Sequence, residues 1–334
     1  MTLCVSWIRK IDKKEELIFA TDSCLSQGER WKHGVKLFEL PRKDCLICFA
    51  GNTQRTYPLI LNLISSIKFD EHLSNPHTDI SEILDYLTEL FTTICNSITN
   101  YSPQKFEEAL GFEEKNPSVA DFSFIFGGWS WKSNCFQLWT LNYKFEVKAF
   151  LPNKIEEDRM THVFIGDEVE KATELLENEI TSSGKILGKE FDMEPFKVLL
   201  RMIRNNDYDS IDGAIQFAKI YPPGFTEYFG VMWPSIDGKK TFLGKDVSFE
   251  NNPSVKYLDP DTGTIVGEEL PINIQNINDQ LFGVNIDFVK ECYPDKRLKI
   301  GLSKRAKLNL KRIFQEIAYS EFIKETERVE EETE

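Results

Sequence analysis

The sequence predicts a layered α+β protein with antiparallel sheets buried between helices. Three observations carry this. Strand-like runs separated by polar or Pro-containing connections crowd the first fifty residues; two runs with helical apolar spacing follow; and the alternation then repeats, strands, two helices, strands. Parallel strand–helix–strand alternation does not fit an order in which the helices come in pairs.

In chain order, strands are expected over Leu3–Ile8, Leu17–Thr21, Val35–Leu40 and Cys45–Ala50, with charged Ile11–Glu16 as an exposed hairpin connection. The period then changes. Tyr57–Ile67 and Ile83–Ile98 repeat apolar residues at helical intervals (Ile83, Leu87, Leu90, Phe91, Ile94, Ile98), and Ser81 stands ahead of the second run as a cap. Phe122–Phe126, Phe136–Leu141 and Val147–Leu151 form a second strand block, with Gly127-Gly128 and Asn142-Tyr143-Lys144 as turns. The run Thr161–Ile165 enters Gly166-Asp167-Glu168 and a helix over Val169–Ile180, and another helix covers Glu194–Ile203. Strands at Ala214–Ile220, Phe225–Trp233 and Thr241–Leu243 close this body, the last two separated by a turn at Asp237-Gly238.

Residues 1–244 therefore read as one domain and 245–334 as a C-terminal extension. In the extension, Asn251–Gln280 is rich in Asn, Asp, Pro and Gly and reads as irregular; a helix is expected over 303–326 and an acidic, solvated tail after it.

Composition narrows the function classes. A chain of 334 residues with 41% hydrophobic and 28% charged residues has the length and balance of a soluble globular protein. A net charge of −14 argues against nucleic acid and anionic membrane surfaces as partners, because phosphate binding needs clustered Lys and Arg. No stretch approaches the roughly 18 apolar residues of a membrane span. Arg9, Lys10, Asp12, Lys13, Lys14 and Glu15 interrupt any signal-peptide core, so a cytoplasmic location is expected. The 25 phenylalanines, with Trp129, Trp131 and Trp139, are read as core or interface rather than as a ligand box.

The seven cysteines (Cys4, Cys24, Cys45, Cys48, Cys95, Cys135, Cys292) are odd in number and lie in apolar segments, which fits reduced thiols. Cys45 and Cys48 have CxxC spacing, but in a strand the period of two sends them to opposite faces. His33, His72, His77 and His162 are dispersed. No metal and no cofactor is expected.

The chemistry-bearing pattern begins at residue 2. Methionine removal is expected before a small side chain, and it would leave Thr2 with a hydroxyl and a free α-amine on one residue, a recognised nucleophile design. Thr2-Leu-Cys-Val-Ser-Trp, Phe19-Ala-Thr-Asp22-Ser23, Val35-Lys36-Leu-Phe-Glu-Leu40 and Phe49-Ala-Gly51 follow in order at strand boundaries. Together they resemble the amino-terminal half of a proteasome β-subunit and of the bacterial proteasome-like protease, which are N-terminal-nucleophile hydrolases. The resemblance is good to about Leu63 and weaker, mostly in segment order, to about Gly244.

It implies a four-layer αββα sandwich of antiparallel sheets. It also implies a mechanism: Thr2 Oγ attacks a carbonyl, the α-amine takes the proton, Lys36 supplies a positive field, Asp22 holds Lys36, and the Gly51 N–H stabilises the oxyanion. Asp209 and Ser210 resemble residues that support the amine. By the same resemblance the chain would cleave peptide or protein substrates, assemble as a homo-oligomer and work with an ATPase or unfoldase. Hydrolysis of a small non-peptide amide and an inactive binding scaffold stand as alternatives.

Overall fold

A computed structural model describes residues 2–11, 14–26, 29–98, 119–156, 160–182, 191–205, 207–247, 255–266, 285–294, 297–299 and 301–331. The protein is α+β, and the chain divides into two compact units, Met1–Gly263 and Thr264–Glu334.

In the first unit, strands β1 (Leu3–Ile11), β2 (Lys14–Thr21), β3 (Leu37–Glu39) and β4 (Cys45–Gly51) precede helices α1 (Thr53–Phe69), α2 (Glu71–Ser74) and α3 (Ile80–Asn96). Strands β5 (Val119–Ser130), β6 (Cys135–Lys144), β7 (Ala149–Lys154) and β8 (His162–Gly166) lead to α4 (Val169–Ser182) and α5 (Glu194–Arg204). Then come β9 (Gln216–Tyr221), β10 (Phe225–Trp233), β11 (Lys239–Phe242), β12 (Lys245–Asp246) and β13 (Lys256–Leu258).

One sheet runs β12-β11-β10-β9-β2-β1-β8, and the other β3-β4-β5-β6-β7. All these neighbours are antiparallel, but β13 joins β10 in parallel, a departure from the expectation of antiparallel sheets. Its cause is an open edge. β11 pairs Val231–Trp233, which leaves Phe229 and Gly230 open for β13, whose pairing runs over Phe229–Val231.

Period-two alternation decides where each side chain goes. Leu3, Val5 and Trp7 of β1 pack with Ala172, Leu176, Phe196 and Leu199 of α4 and α5. Cys45, Ile47 and Phe49 of β4 pack with Leu59, Leu63, Leu87 and Phe91 of α1 and α3. The intervening residues, Cys4 and Ile8 from β1 and Leu46, Cys48 and Ala50 from β4, meet in a cluster shared by the two sheets. Both faces of β4 are covered, which explains why it reads as an unbroken apolar run. Cys45 and Cys48 do lie on opposite faces. Phe19, Phe49, Phe91, Phe124, Phe126 and Phe217 are fully buried, each worth about 1.5–3 kcal/mol relative to exposure.

Three local expectations are corrected. Gly127-Gly128 is not a turn but part of β5, where Gly128 lies so close to β4 that a Cβ would stand 2.1 Å from the Asp44 carbonyl oxygen. Asn142–Lys144 continues β6, because Tyr143 is buried and donates to Asn96 Oδ1 at 2.6 Å; the turn falls at 145–148. The cap of α3 is Asp79, not Ser81, which supplies the N–H that Asp79 accepts at 3.0 Å.

Asp79 also accepts Ser130 Oγ and the Lys132 N–H, both at 2.9 Å, tying α3 to the β5–β6 turn. Burial pushes its carboxyl up, but the Lys132 and Ser81 N–H groups and the hydroxyls outweigh that and hold it below its ordinary 3.8. Asp79→Ala is expected to cost about 1–2 kcal/mol in denaturant unfolding near neutral pH. A depressed carboxyl stabilises fully above its unfolded value and loses that contribution as the pH falls through the folded one. The gap between wild type and variant should therefore close below pH 3.8.

The second unit contains β14 (Ile265–Val266), α6 (Ile286–Cys292) and α7 (Lys304–Glu331), with Val289, Cys292, Tyr293 and Leu310 as its apolar centre. Glu330 and Glu331 belong to α7, whereas Glu332 and Glu334 of the expected tail, most of Asn251–Gln280, and Met1 lie outside the described residues. Among the described residues no helix is long and apolar enough to cross a membrane.

Candidate active site

The site is built where β1 begins and β2 ends. The β1–β2 register pairs Cys4 with Thr21, which sets Asp22 against the start of β1. The Leu3 N–H donates to Asp22 Oδ1 at 3.0 Å, and the Cys24 N–H to Asp22 Oδ2 at 2.9 Å. The Asp212 N–H reaches the same Oδ2 at 3.4 Å.

Lys36 is delivered just before β3. Gln216, the first residue of β9, accepts the N–H groups of Lys36 and Leu37 at 3.0 and 3.2 Å and donates to the Gly34 carbonyl at 2.6 Å. The Phe49 N–H closes the other side on the Lys36 carbonyl at 3.2 Å. Gln216 thus clamps the segment carrying Lys36. An amide at a strand start gives no sequence signal of such a role, and sequence reasoning missed it.

Lys36 Nζ donates to both Asp22 oxygens, at 3.0 and 2.9 Å, and to Thr2 Oγ1. Lys36 and Asp22 are 0% exposed and Thr2 is 2% exposed, so the three form one buried polar chain. Burial pushes the Asp22 carboxyl up, against the pull of the Lys36 ammonium and the Cys24 and Leu3 N–H groups. Two ions this deep persist because each is paired and hydrogen-bonded. Chemically, the arrangement fixes the Thr2 hydroxyl oxygen beside a cation.

Gly51 ends β4 at φ +105° and precedes α1, whose first turn is capped by Asn52. The β4 end neighbours Thr2 through Gly166: a Cβ on Gly166 would stand 1.9 Å from the Thr2 carbonyl oxygen and 3.1 Å from Ala50 Cβ. Gly51 would place a backbone N–H near the positive end of α1.

The structure does not bring Asp209 and Ser210 to this cluster. Asp209 is exposed and lies 3.7 Å from Arg30, and Ser210 is half-buried. The segment's contact with the site comes three residues later, through the Asp212 N–H, while the Asp212 carboxylate pairs with Arg30 at 2.5 Å and Lys32 at 2.7 Å. The short spacing Asp-Ser-Ile-Asp gives no sign of which residue's backbone reaches the site.

Cys48 is the nearest of the CxxC pair to this side, and burial drives its thiol well above the ordinary range, which keeps it protonated and unreactive. Among the described residues no group of three or more His, Cys, Asp or Glu is placed to hold a metal.

No protein-family model matches the chain, and no curated protein matches it. Solved structures similar to it include the helical assembly of the Anbu complex from Pseudomonas aeruginosa, at 13% identity over 72% of this chain and 86% of that one, TM-score 0.48. Anbu from Hyphomicrobium sp. strain MC1 is similar at 13% identity over 67% of this chain and 86% of that one, TM-score 0.44. A Gly-1 mutant of the Hyphomicrobium protein is similar at 12% identity over 68% and 88%, TM-score 0.42. The resemblance to the proteasome β-subunit and the bacterial proteasome-like protease is thereby corrected: these three similar structures are Anbu proteins, and likeness this distant places the chain in no family. The functional argument rests on the chain's own geometry.

Proposed function

We propose that the protein is an N-terminal threonine amidohydrolase that cleaves peptide bonds through Thr2 after removal of Met1. The observation that carries this reading is the buried contact of Lys36 Nζ with both Thr2 Oγ1 and the Asp22 carboxylate. A buried ion pair is a poor route to stability alone, but its field suits a threonine whose own amine must act as base. An unperturbed α-amine titrates near about 7.7–8.0, and a cation beside it lowers that value and leaves more free base at neutral pH.

Thr2 Oγ attacks the substrate carbonyl carbon, the amine takes the hydroxyl proton, and the Gly51 N–H receives the oxyanion. The protonated amine then passes its proton to the leaving nitrogen, and water releases the acyl group from Thr2. In this reading residues 1–244 carry the catalytic body and 245–334 an extension, and the three apolar clusters support arrangement of that body as a four-layer αββα sandwich. A cytoplasmic location, homo-oligomeric assembly and an ATPase or unfoldase partner belong to the same proposal; light scattering of the purified protein tests the assembly.

Intact mass before and after a threonine-reactive electrophile, with Thr2→Ala as control, tests the chemistry. Loss of Met1 and one adduct on wild type, absent from Thr2→Ala, is the expected result. A retained Met1 and no adduct in natively expressed protein would sink the mechanism.

A further inference from the structure

The catalytic reading leaves one acid beside Thr2 without a role. The β1–β8 register runs from Trp7 opposite His162 to Leu3 opposite Gly166, and Asp167 follows in the turn just beyond it. The Asp167 N–H donates to the Thr2 carbonyl at 2.7 Å. Asp167 Oδ2 is buried and has no hydrogen-bond partner among the described residues. A buried carboxylate oxygen left so is costly unless a donor arrives.

Charge balance identifies the donor. Asp22 is matched by Lys36 and by backbone N–H groups, so that pair is complete. The Asp212 carboxylate is spent on Arg30 and Lys32, Glu168 is exposed, and the Cys4 thiol is engaged with Thr21 Oγ1 and the Phe49 carbonyl. Among the described residues no cation pairs with Asp167, and removal of Met1 creates one on Thr2, the residue whose carbonyl its N–H holds.

We propose that Asp167 is the counter-ion of the α-ammonium group that Thr2 acquires when Met1 is removed. The inference rests on reading Thr2 as a processed N-terminus and adds a positioning residue to it. Lys36 and Asp167 then act on the amine in opposite senses: the ammonium of Lys36 favours the free base, and the carboxylate of Asp167 favours the protonated form and fixes its direction. The amine holds its proton to higher pH than Lys36 alone would allow, and nucleophile activation rises on the alkaline side.

The test uses chain 2–334 released from a cleavable fusion so that it begins at Thr2, with cyanate as the probe. Carbamylation of the α-amine, read by mass on the N-terminal peptide across pH, gives its titration midpoint whether or not the protein is an enzyme. Asp167→Asn is expected to lower that midpoint by about one unit or more, a change that a purely structural residue would not produce. Coincident midpoints would overturn the proposal. Asp167→Ser replaces Asn, with the same expectation, if the amide variant does not fold.

Labelling of Thr2 by the electrophile in the same samples separates the two ideas. A moved midpoint without labelling keeps the counter-ion and loses the hydrolase; labelling with an unmoved midpoint does the reverse.

Discussion

Lys36→Met is expected to slow acylation of Thr2 by at least about 100-fold and to lower stability by about 3–5 kcal/mol. Both effects have one origin. Lys36 Nζ is the cation beside Thr2 Oγ1 and the only side-chain partner of a fully buried Asp22 among the described residues. Methionine keeps the apolar stem and deletes the charge, so packing changes little. Asp22 is left with backbone N–H donors alone, and burial drives its carboxyl further up.

Asp22→Asn/Lys36→Met separates the two effects. With both charges gone the buried-charge penalty disappears, and the double variant should be more stable than the two single losses sum to, with a coupling of about 0.5–3 kcal/mol. Acylation should stay slow, because the cation is still missing. Chemical denaturation and timed intact-mass labelling of the three variants read the two quantities independently. Recovery of labelling in the double variant would show that Lys36 is only a structural ion.

How much of this was legible in the sequence depends on which force sets each feature. Strand and helix order follows from apolar periodicity, a local property, so β1, β2, β4 and β10 were placed to within a few residues. Errors came where tertiary contact overrides local preference. Gly127-Gly128 reads as a turn because glycine serves turns, yet here it serves close approach to Asp44 and Cys45. β13 escaped notice because its pairing is fixed by an edge left open by β11, a fact no window of sequence holds.

The site divides in the same way. Thr2, Asp22 and Lys36 stand at strand ends, where register brings them together, so their spacing carried information. Gln216 acts on Gly34, Lys36 and Leu37 from 179–182 residues away through an ordinary amide. Asp209 and Ser210 come from resemblance alone, and a loop has no period to say which of its groups reaches the site; here it is the Asp212 N–H. In the sequence Asp167 is only part of a helix entry; that its Oδ2 has no partner among the described residues is a property of packing.

Gly166→Ala is expected to cost at least about 2 kcal/mol and to slow acylation of Thr2 more than about 10-fold, since misplacement near 1 Å can cost about 100-fold. Two independent reasons converge on this glycine. Its φ of +110° lies where an L side chain is strained, and a Cβ there would meet the Thr2 carbonyl oxygen at 1.9 Å, a backbone atom that cannot rotate away. Relief requires the start of β1 or the β8–α4 junction to move. Either motion disturbs the hydrogen bond from the Asp167 N–H to the Thr2 carbonyl.

Gly301→Ala is the control. Its φ is +84° and nothing lies within 4 Å of the new Cβ, so it carries backbone strain without a clash in a different unit. It should leave Thr2 labelling unchanged. If Gly166→Ala labelled at the wild-type rate, Thr2 would not need the position that β8 gives it.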